Sequence, residues 1–261
     1  MSRREGTLRE MGLGPLWKLR DKPAAASDAG LRQGAPEPAS RPVVPVPPPA
    51  VTAAASLGAM VTATTGGDRA AAIAAMDWPA LKDAVANCRA CGLCQARKQA
   101  VLGVGDVAAD WLFVGEGPGA EEDERGEPFV GQAGKLLDAM LDAIDLQRGK
   151  NVYIGNAVKC RPPNNRTPEP EETATCWPYL QRQIALIQPK LIVALGRPAA
   201  QTLLQAEVKI GAARGRLHDY QGIPVIVTYH PAYLLRNLTD KALAWEDLVF
   251  ARRTMRGLKG N

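Results

Sequence analysis

Four of the five cysteines stand in two groups whose spacing suits a soft-metal site. Cys88 and Cys91 form a C-x2-C pair, and Cys160 and Cys176 form a second pair with fifteen residues between them. Thiolates in fours bind zinc or an iron–sulfur cluster, and the spacing alone leaves both open. Cys160 lies just past an expected strand end. Cys176 precedes Pro178 at an expected helix start, where the positive dipole end favours a thiolate. Cys94 lies three residues past Cys91. It is left out of the ligand set because four ligands suffice and two further cysteines lie downstream.

A second set of polar residues follows apolar runs. Residues 115–120 read GEGPGA, which superficially matches a dinucleotide fingerprint. Glu121, Glu122, Asp123 and Glu124 follow at once, where a pyrophosphate would need positive potential. The glycines therefore serve a tight turn and close backbone approach to a ligand, with Glu116 projecting as a carboxylate able to orient water. Phe129, in a loop setting, can offer a flat face to a planar ligand. Asn156 carries both a donor and an acceptor and can read a base edge. His230, one of two histidines, can donate to developing negative charge. Leu234, Leu235 and Arg236 have the character of a base-unstacking wedge with a phosphate contact.

The elements expected to position these residues alternate. Helices are expected at Trp78–Asn87, Gly131–Ile144, Glu171–Ile187 (broken or restarted at Pro178), Pro198–Leu204 and Leu243–Leu258. Strands are expected at Trp111–Val114, Val152–Asn156, Leu191–Leu195 and Val225–Tyr229, the last with a hairpin partner around Arg214–His218. Such alternation predicts a parallel sheet covered on both faces, with its site at the carboxyl ends of the strands. That rule gathers Gly115–Gly119, Asn156, Gly196 and His230 into one crevice.

Composition sets the frame. The 261 residues are 46% hydrophobic, enough for one sizeable core, and no apolar run approaches the ~20 residues that span a bilayer. Charges scattered through the N-terminal residues argue against a signal peptide, so a cytoplasmic protein with reduced thiols is expected. Nine of the 21 prolines precede residue 50, and a Pro/Ala-rich tail over residues 1–75 is expected to be disordered. Leu8, Met11, Leu13, Leu16, Trp17 and Leu19 make residues 6–20 a candidate docking peptide for a protein partner. The folded catalytic domain is expected over 76–261. Residues 209–261 carry nine basic and four acidic side chains, which suits a polyanionic partner. Nothing in the chain suggests more than a monomer.

The stretches GEGPGAEEDERGEPFVGQAGKLLD (115–138), NAVKCRPPNNRTP (156–168), ALGRPAA (194–200) and HPAYLLRN (230–237), behind the CRAC pair, resemble the family 4 uracil-DNA glycosylases. These are the iron–sulfur branch of their superfamily, and the resemblance spans roughly residues 80–256. It implies a three-layer α/β/α fold with a central four-stranded parallel sheet. It implies a [4Fe–4S] cluster on Cys88, Cys91, Cys160 and Cys176, and hydrolysis of the N-glycosidic bond of deoxyuridine in DNA to leave an abasic site. By motif, Phe129 would stack on uracil, Asn156 would read its edge and Gly117 would line the pocket floor. His230 would stabilise the charge leaving on uracil, and Glu116 would assist water or the sugar cation. The best-known branch of the superfamily has an aspartate before the first-motif proline. Here Gly117 precedes Pro118, which leaves Glu116 as the nearby carboxylate. A DNA-crosslinking branch carries a KRRIH insertion where this chain reads KCRPPNNRTP, so turnover is expected. The competing readings are an iron–sulfur oxidoreductase using a dinucleotide, a zinc-stabilised DNA-binding module, and a glycosylase acting mainly on another damaged base.

Overall fold

A computed structural model of the chain describes residues 66–259. The expected disordered tail before residue 66 and the docking peptide at 6–20 lie outside the described residues. Four strands are buried along their whole length or nearly so. They are β2 (Trp111–Gly115), β3 (Val152–Asn156), β4 (Leu191–Leu195) and β6 (Ile223–Thr228). Continuous apolar runs of this kind belong to parallel strands covered on both faces. The four pair parallel in the order β3-β2-β4-β6, the expected central sheet. Two short antiparallel strands complete a six-stranded sheet: β1 (Val104–Gly105) beside β3 and β5 (Leu217–Tyr220) beside β6.

Alternate residues of each strand supply the two core layers. Trp111, Phe113, Val152, Ile154, Leu191, Val193 and Ile226 face one side. They pack against the helices Gln132–Asp142 and Lys241–Lys259. Leu112, Val114, Ile192, Ala194, Val225 and Val227 face the other, against Pro170–Ile187 and Arg197–Leu204. Numbered in chain order, the helices are α1 (Gly66–Ala74), α2 (Trp78–Ala86), α3 (Ala120–Arg125), α4 (Gln132–Asp142), α5 (Pro170–Ile187), α6 (Arg197–Leu204), α7 (Ile210–Ala213), α8 (Pro231–Leu234) and α9 (Lys241–Lys259). The result is an α/β/α sandwich.

Two expectations need correction. The expected disordered tail does not extend to residue 75, because Gly66–Ala74 is helical. Its alanines favour a helix, Ile73 is 2% exposed, and Arg69 donates to the Thr175 carbonyl of α5 at 2.8 Å. Helix α5 runs unbroken through Pro178. Its start is Pro170, where Glu172 reaches back to the Glu169 N–H at 2.8 Å in a capping arrangement. Cys176 therefore sits inside the helix, not at its dipolar start. Burial of Tyr179, Leu180, Gln183 and Ile184 on one side of α5 outweighs the hydrogen bond lost at the proline.

Leu112 lies at the centre of the sheet with no exposed surface. Leu112→Ala is expected to destabilise the fold by about 2–5 kcal/mol, read as a shift in the urea unfolding midpoint with an unchanged slope.

Candidate active site

The β2–β3 pairing builds the site. Gly115 lies opposite Asn156, and the ladder continues beyond both strands. Ala157 N–H donates to the Gly115 carbonyl at 2.9 Å and Val158 N–H to the Glu116 carbonyl at 3.1 Å. This extension requires close approach at Gly117, where a Cβ would stand 2.7 Å from Val158 Cγ2. Strand β6 ends beside β4, and Gly196 N–H donates to the Thr228 carbonyl at 2.8 Å. Gly196 has φ +88°, and a Cβ there would lie 2.9 Å from His230 Cβ.

A cleft of about 460 Å³ opens at these strand ends. Glu116, Gly117, Phe129, Asn156, His230 and Arg236 all line it. Asn156 is 2% exposed, and its Oδ1 is buried without a hydrogen-bond partner. His230 caps α8: its Nδ1 accepts from Ala232 N–H at 3.1 Å, so in the neutral ring the proton sits on Nε2. Burial, helped by Arg236 and opposed by Glu122, lowers the His230 pKa to about 4. Phe129 stacks on His230 with ring centroids 5.5 Å apart. Burial raises the Glu116 pKa, against a hydrogen bond from Thr167 and the charge of Arg197.

The wedge expectation divides. Leu234 is 1% exposed in the core beside α4 and α9, so it cannot reach DNA from this position. Its place in the last turn of α8 turns it inward. Leu235 is 41% exposed, and Arg236 lines the cleft, so the exposed part of the segment begins one residue later.

Several cleft residues escaped the sequence reading. Glu122 is a second carboxylate at the cleft, but its oxygens accept from the N–H groups of Gly119, Val130 and Gly131 at 2.9–3.1 Å. It holds the loop and leaves Glu116 as the carboxylate with capacity to spare. Its three-residue spacing from Gly119 is the one available signal, the glutamate half of a capping box, with no side chain at Gly119 to complete it. Thr167 and Tyr233 also line the cleft, with no local pattern to announce them.

Behind the cleft, Cys88, Cys91, Cys160 and Cys176 border one apolar cluster with Leu81, Val85 and Tyr179. All are free thiols. Sulfurs receive hydrogen bonds from three directions: Arg97 to Cys160 at 2.8 Å, Lys159 N–H to Cys176 at 3.3 Å, and Arg69 to Cys88 at 3.9 Å. Such a donor set around buried and half-buried sulfurs fits thiolates that carry negative charge to a metal group. Burial pushes the Cys176 thiol up to about 12 and raises Cys160 and Cys91. Among the described residues no three His, Cys, Asp or Glu side chains are grouped to hold a single metal ion. Cys94 lies in the turn Gly92–Gln95 and lines a separate, wider cleft.

Lys159 joins the two regions. It is 1% exposed, and its ammonium donates to the Asn156 carbonyl at 2.8 Å and to Gln183 Oε1 at 2.5 Å. Burial lowers its pKa to about 8, opposed by Cys176 and Cys160.

The family model described as the uracil DNA glycosylase superfamily matches residues 102–249. The chain is 45% identical over 184 residues to a type-4 uracil-DNA glycosylase of Pyrobaculum aerophilum, covering 66% of this chain and 92% of that protein. It is 46% identical over 176 residues to that of Thermotoga maritima, covering 66% and 91%. It is 47% identical over 159 residues to that of Archaeoglobus fulgidus, covering 58% and 79%.

A Cβ at Gly134 would overlap the Phe129 carbonyl oxygen. Gly134→Ala, otherwise favourable in a helix, is expected to lower stability by roughly 1–3 kcal/mol and to displace the Phe129 loop. Thermal unfolding and hydrogen exchange at Val130 and Gly131 would show both effects.

Proposed function

Because the chain belongs to the type-4 uracil-DNA glycosylases of the uracil DNA glycosylase superfamily, we propose that it releases uracil from DNA, hydrolysing the N-glycosidic bond and leaving an abasic site. The observation that carries this reading is the buried, unpartnered Oδ1 of Asn156 in the cleft. A buried acceptor without a donor is costly, and a ligand that supplies one recovers that cost. Uracil presents N3–H beside O4, which complements Oδ1 beside Nδ2–H of one amide. Cytosine presents the reverse at both positions. The target base must leave the duplex to enter the cleft. Phe129 stacks on it, and exposed Leu235 with Arg236 fills the vacated stack and meets phosphate.

The remaining groups act on the bond. As it breaks, negative charge builds on the uracil ring and positive charge on the sugar. A neutral His230 donates from Nε2 to the uracil oxygen, in a site that loses nothing to solvent reorganisation. Ionised Glu116 offsets the sugar charge and orients the attacking water.

The [4Fe–4S] cluster of this reading is held by Cys88, Cys91, Cys160 and Cys176. When bound it would cross-link the α2 end, the segment after β3, and α5. Arg69, Arg97 and Lys159 balance the charge of its thiolates. Five free thiols suit a reducing cytoplasm. Purified protein is expected to be brown, with about four irons per chain, and Cys176→Ser is expected to lower both iron content and thermal stability.

The deciding experiment is uracil release from a single-uracil oligonucleotide. His230→Ala is expected to slow release by roughly two to four orders of magnitude. Asn156→Asp is expected to relax selectivity toward cytosine. No release by iron-loaded protein would leave the family standing and remove the substrate.

The pH profile separates the two catalytic groups. Glu116 must be ionised, and its raised pKa makes the rate fall as pH drops through a midpoint above 4.5. His230 must be neutral, and with a pKa of about 4 it stays so across that range. The acid limb is therefore expected to disappear in Glu116→Gln and to persist in His230→Gln. A limb near 6.5 that vanished with His230 would reverse the assignment.

A further inference from the structure

Phe129 adopts a backbone conformation that a bulky residue ordinarily avoids, with φ +55°. Nothing local favours it: the preceding residue is Pro128 and the following one Val130. Such a conformation persists where the surroundings over-determine it. Here four consecutive residues are held by two side chains. Glu122 accepts from the N–H groups of Val130 and Gly131 at 2.9 and 3.1 Å. From the opposite direction, Arg148 donates through Nη1 to the Pro128 carbonyl at 3.0 Å and through Nη2 to the Phe129 carbonyl at 2.8 Å.

Arg148 is itself fixed. Its Nε donates to Asp138 Oδ1 of α4 at 2.9 Å. Three of its donor atoms are thus committed in one plane, an arrangement that a planar guanidinium provides and an ammonium does not. Arg148 lies outside the cleft, touches none of its catalytic groups, and belongs to none of the motifs around Glu116, Asn156 or His230. Its Nη1 and Nη2 hydrogen bonds end on the peptide groups that flank the ring stacked on His230.

We propose that Arg148 is a positioning residue that holds the Phe129 ring in its stacking orientation through the carbonyls of Pro128 and Phe129. The role in catalysis rests on Phe129 as the side chain that stacks on the target base. The placement of the ring does not.

The test uses the full chain as Arg148→Met, Phe129→Ala and the double variant. The chain has two histidines, which makes the imidazole proton spectrum simple to read. His230 lies under the Phe129 ring, whereas His218 pairs with the Ala213 carbonyl at 2.8 Å. In Phe129→Ala the His230 signals lose the ring-current displacement. In Arg148→Met they are expected to cover at least about half of that distance while those of His218 stay in place, since the ring is no longer held. In kinetics, Arg148→Met is expected to lower kcat/KM by roughly 10- to 100-fold, the scale of a group misplaced by about 1 Å. In the Phe129→Ala background the same change is expected to cost less than about threefold, the signature of action through Phe129. Unmoved His230 signals, or equal losses in both backgrounds, would overturn the proposal. If Arg148→Met does not fold, Arg148→Lys carries the same comparisons, because it keeps the charge and loses the fork. If the parent protein releases no uracil, the functional reading fails by itself, and the histidine signals still decide whether Arg148 places the ring.

Discussion

The parallel register of β2 on β3 is the constraint from which the site follows. Gly115 opposite Asn156, extended by the hydrogen bonds from Ala157 and Val158, sets Glu116 and the Asn156 amide side by side at one end of the sheet. Side chains alternate along a strand, so a slip of one residue would turn Asn156 out of the cleft and its neighbours into it. The slip is prevented from both faces at once. Phe113 and Ile154 are locked into one core layer, and Leu112, Val114 and Tyr153 into the other. The glycines at 115 and 117 then do what packing demands of them. A Cβ at 115 would strike both Phe129 and Asn156, and one at 117 would strike Val158.

Around that ladder, the cleft keeps its charges unequal. His230 is held neutral by burial and by the cation of Arg236, and its tautomer is chosen by a backbone N–H at the start of α8. Glu116 is half-buried and steadied by Thr167 and Arg197. In the proposed reaction one ring would donate without carrying charge, and one carboxylate would carry charge close to where a sugar cation forms. The cysteine region is placed by the same segment of chain. Two residues separate Asn156 from Lys159, whose ammonium faces the Asn156 carbonyl and whose N–H faces Cys176. The cost of burying that ammonium is offset by hydrogen bonds on one side and thiol sulfurs on the other.

Much of this was legible in the residues themselves. The apolar runs at 111–114, 152–156 and 191–195 read directly as strands because each is buried on both faces and needs no alternation to betray it. The places of Asn156 and His230 at the cleft were legible because Asn156 ends one such run and His230 follows the strand Ile223–Thr228, both at the carboxyl edge of the sheet. The misreadings share a cause. Pro178 resembles a helix start, yet the apolar face of α5 carries the helix across it. Leu234 and Leu235 are adjacent and chemically equivalent. Only the packing of α8 against α4 sends one into the core and leaves the other outside. Strand β1 is two residues long and exists only through its pairing with β3. Arg148 lies in a loop with no periodicity, and its partners are carbonyls about twenty positions away. Contacts that distant leave no imprint on local pattern.

The two antiparallel strands at the margins have a consequence for how the molecule behaves among copies of itself. A parallel sheet of four buried, strongly apolar strands would end on each side in a row of unpaired amides and carbonyls, a template for joining another chain edge to edge. Here β1 closes one side with two residues, followed by a single further bond from Asp106 N–H to the Val152 carbonyl. On the other side, β5 is four residues long and carries His218 and Asp219. Each margin is thus a short strand, one of them polar, and the long apolar strands most prone to fibrillar stacking lie inside the sheet.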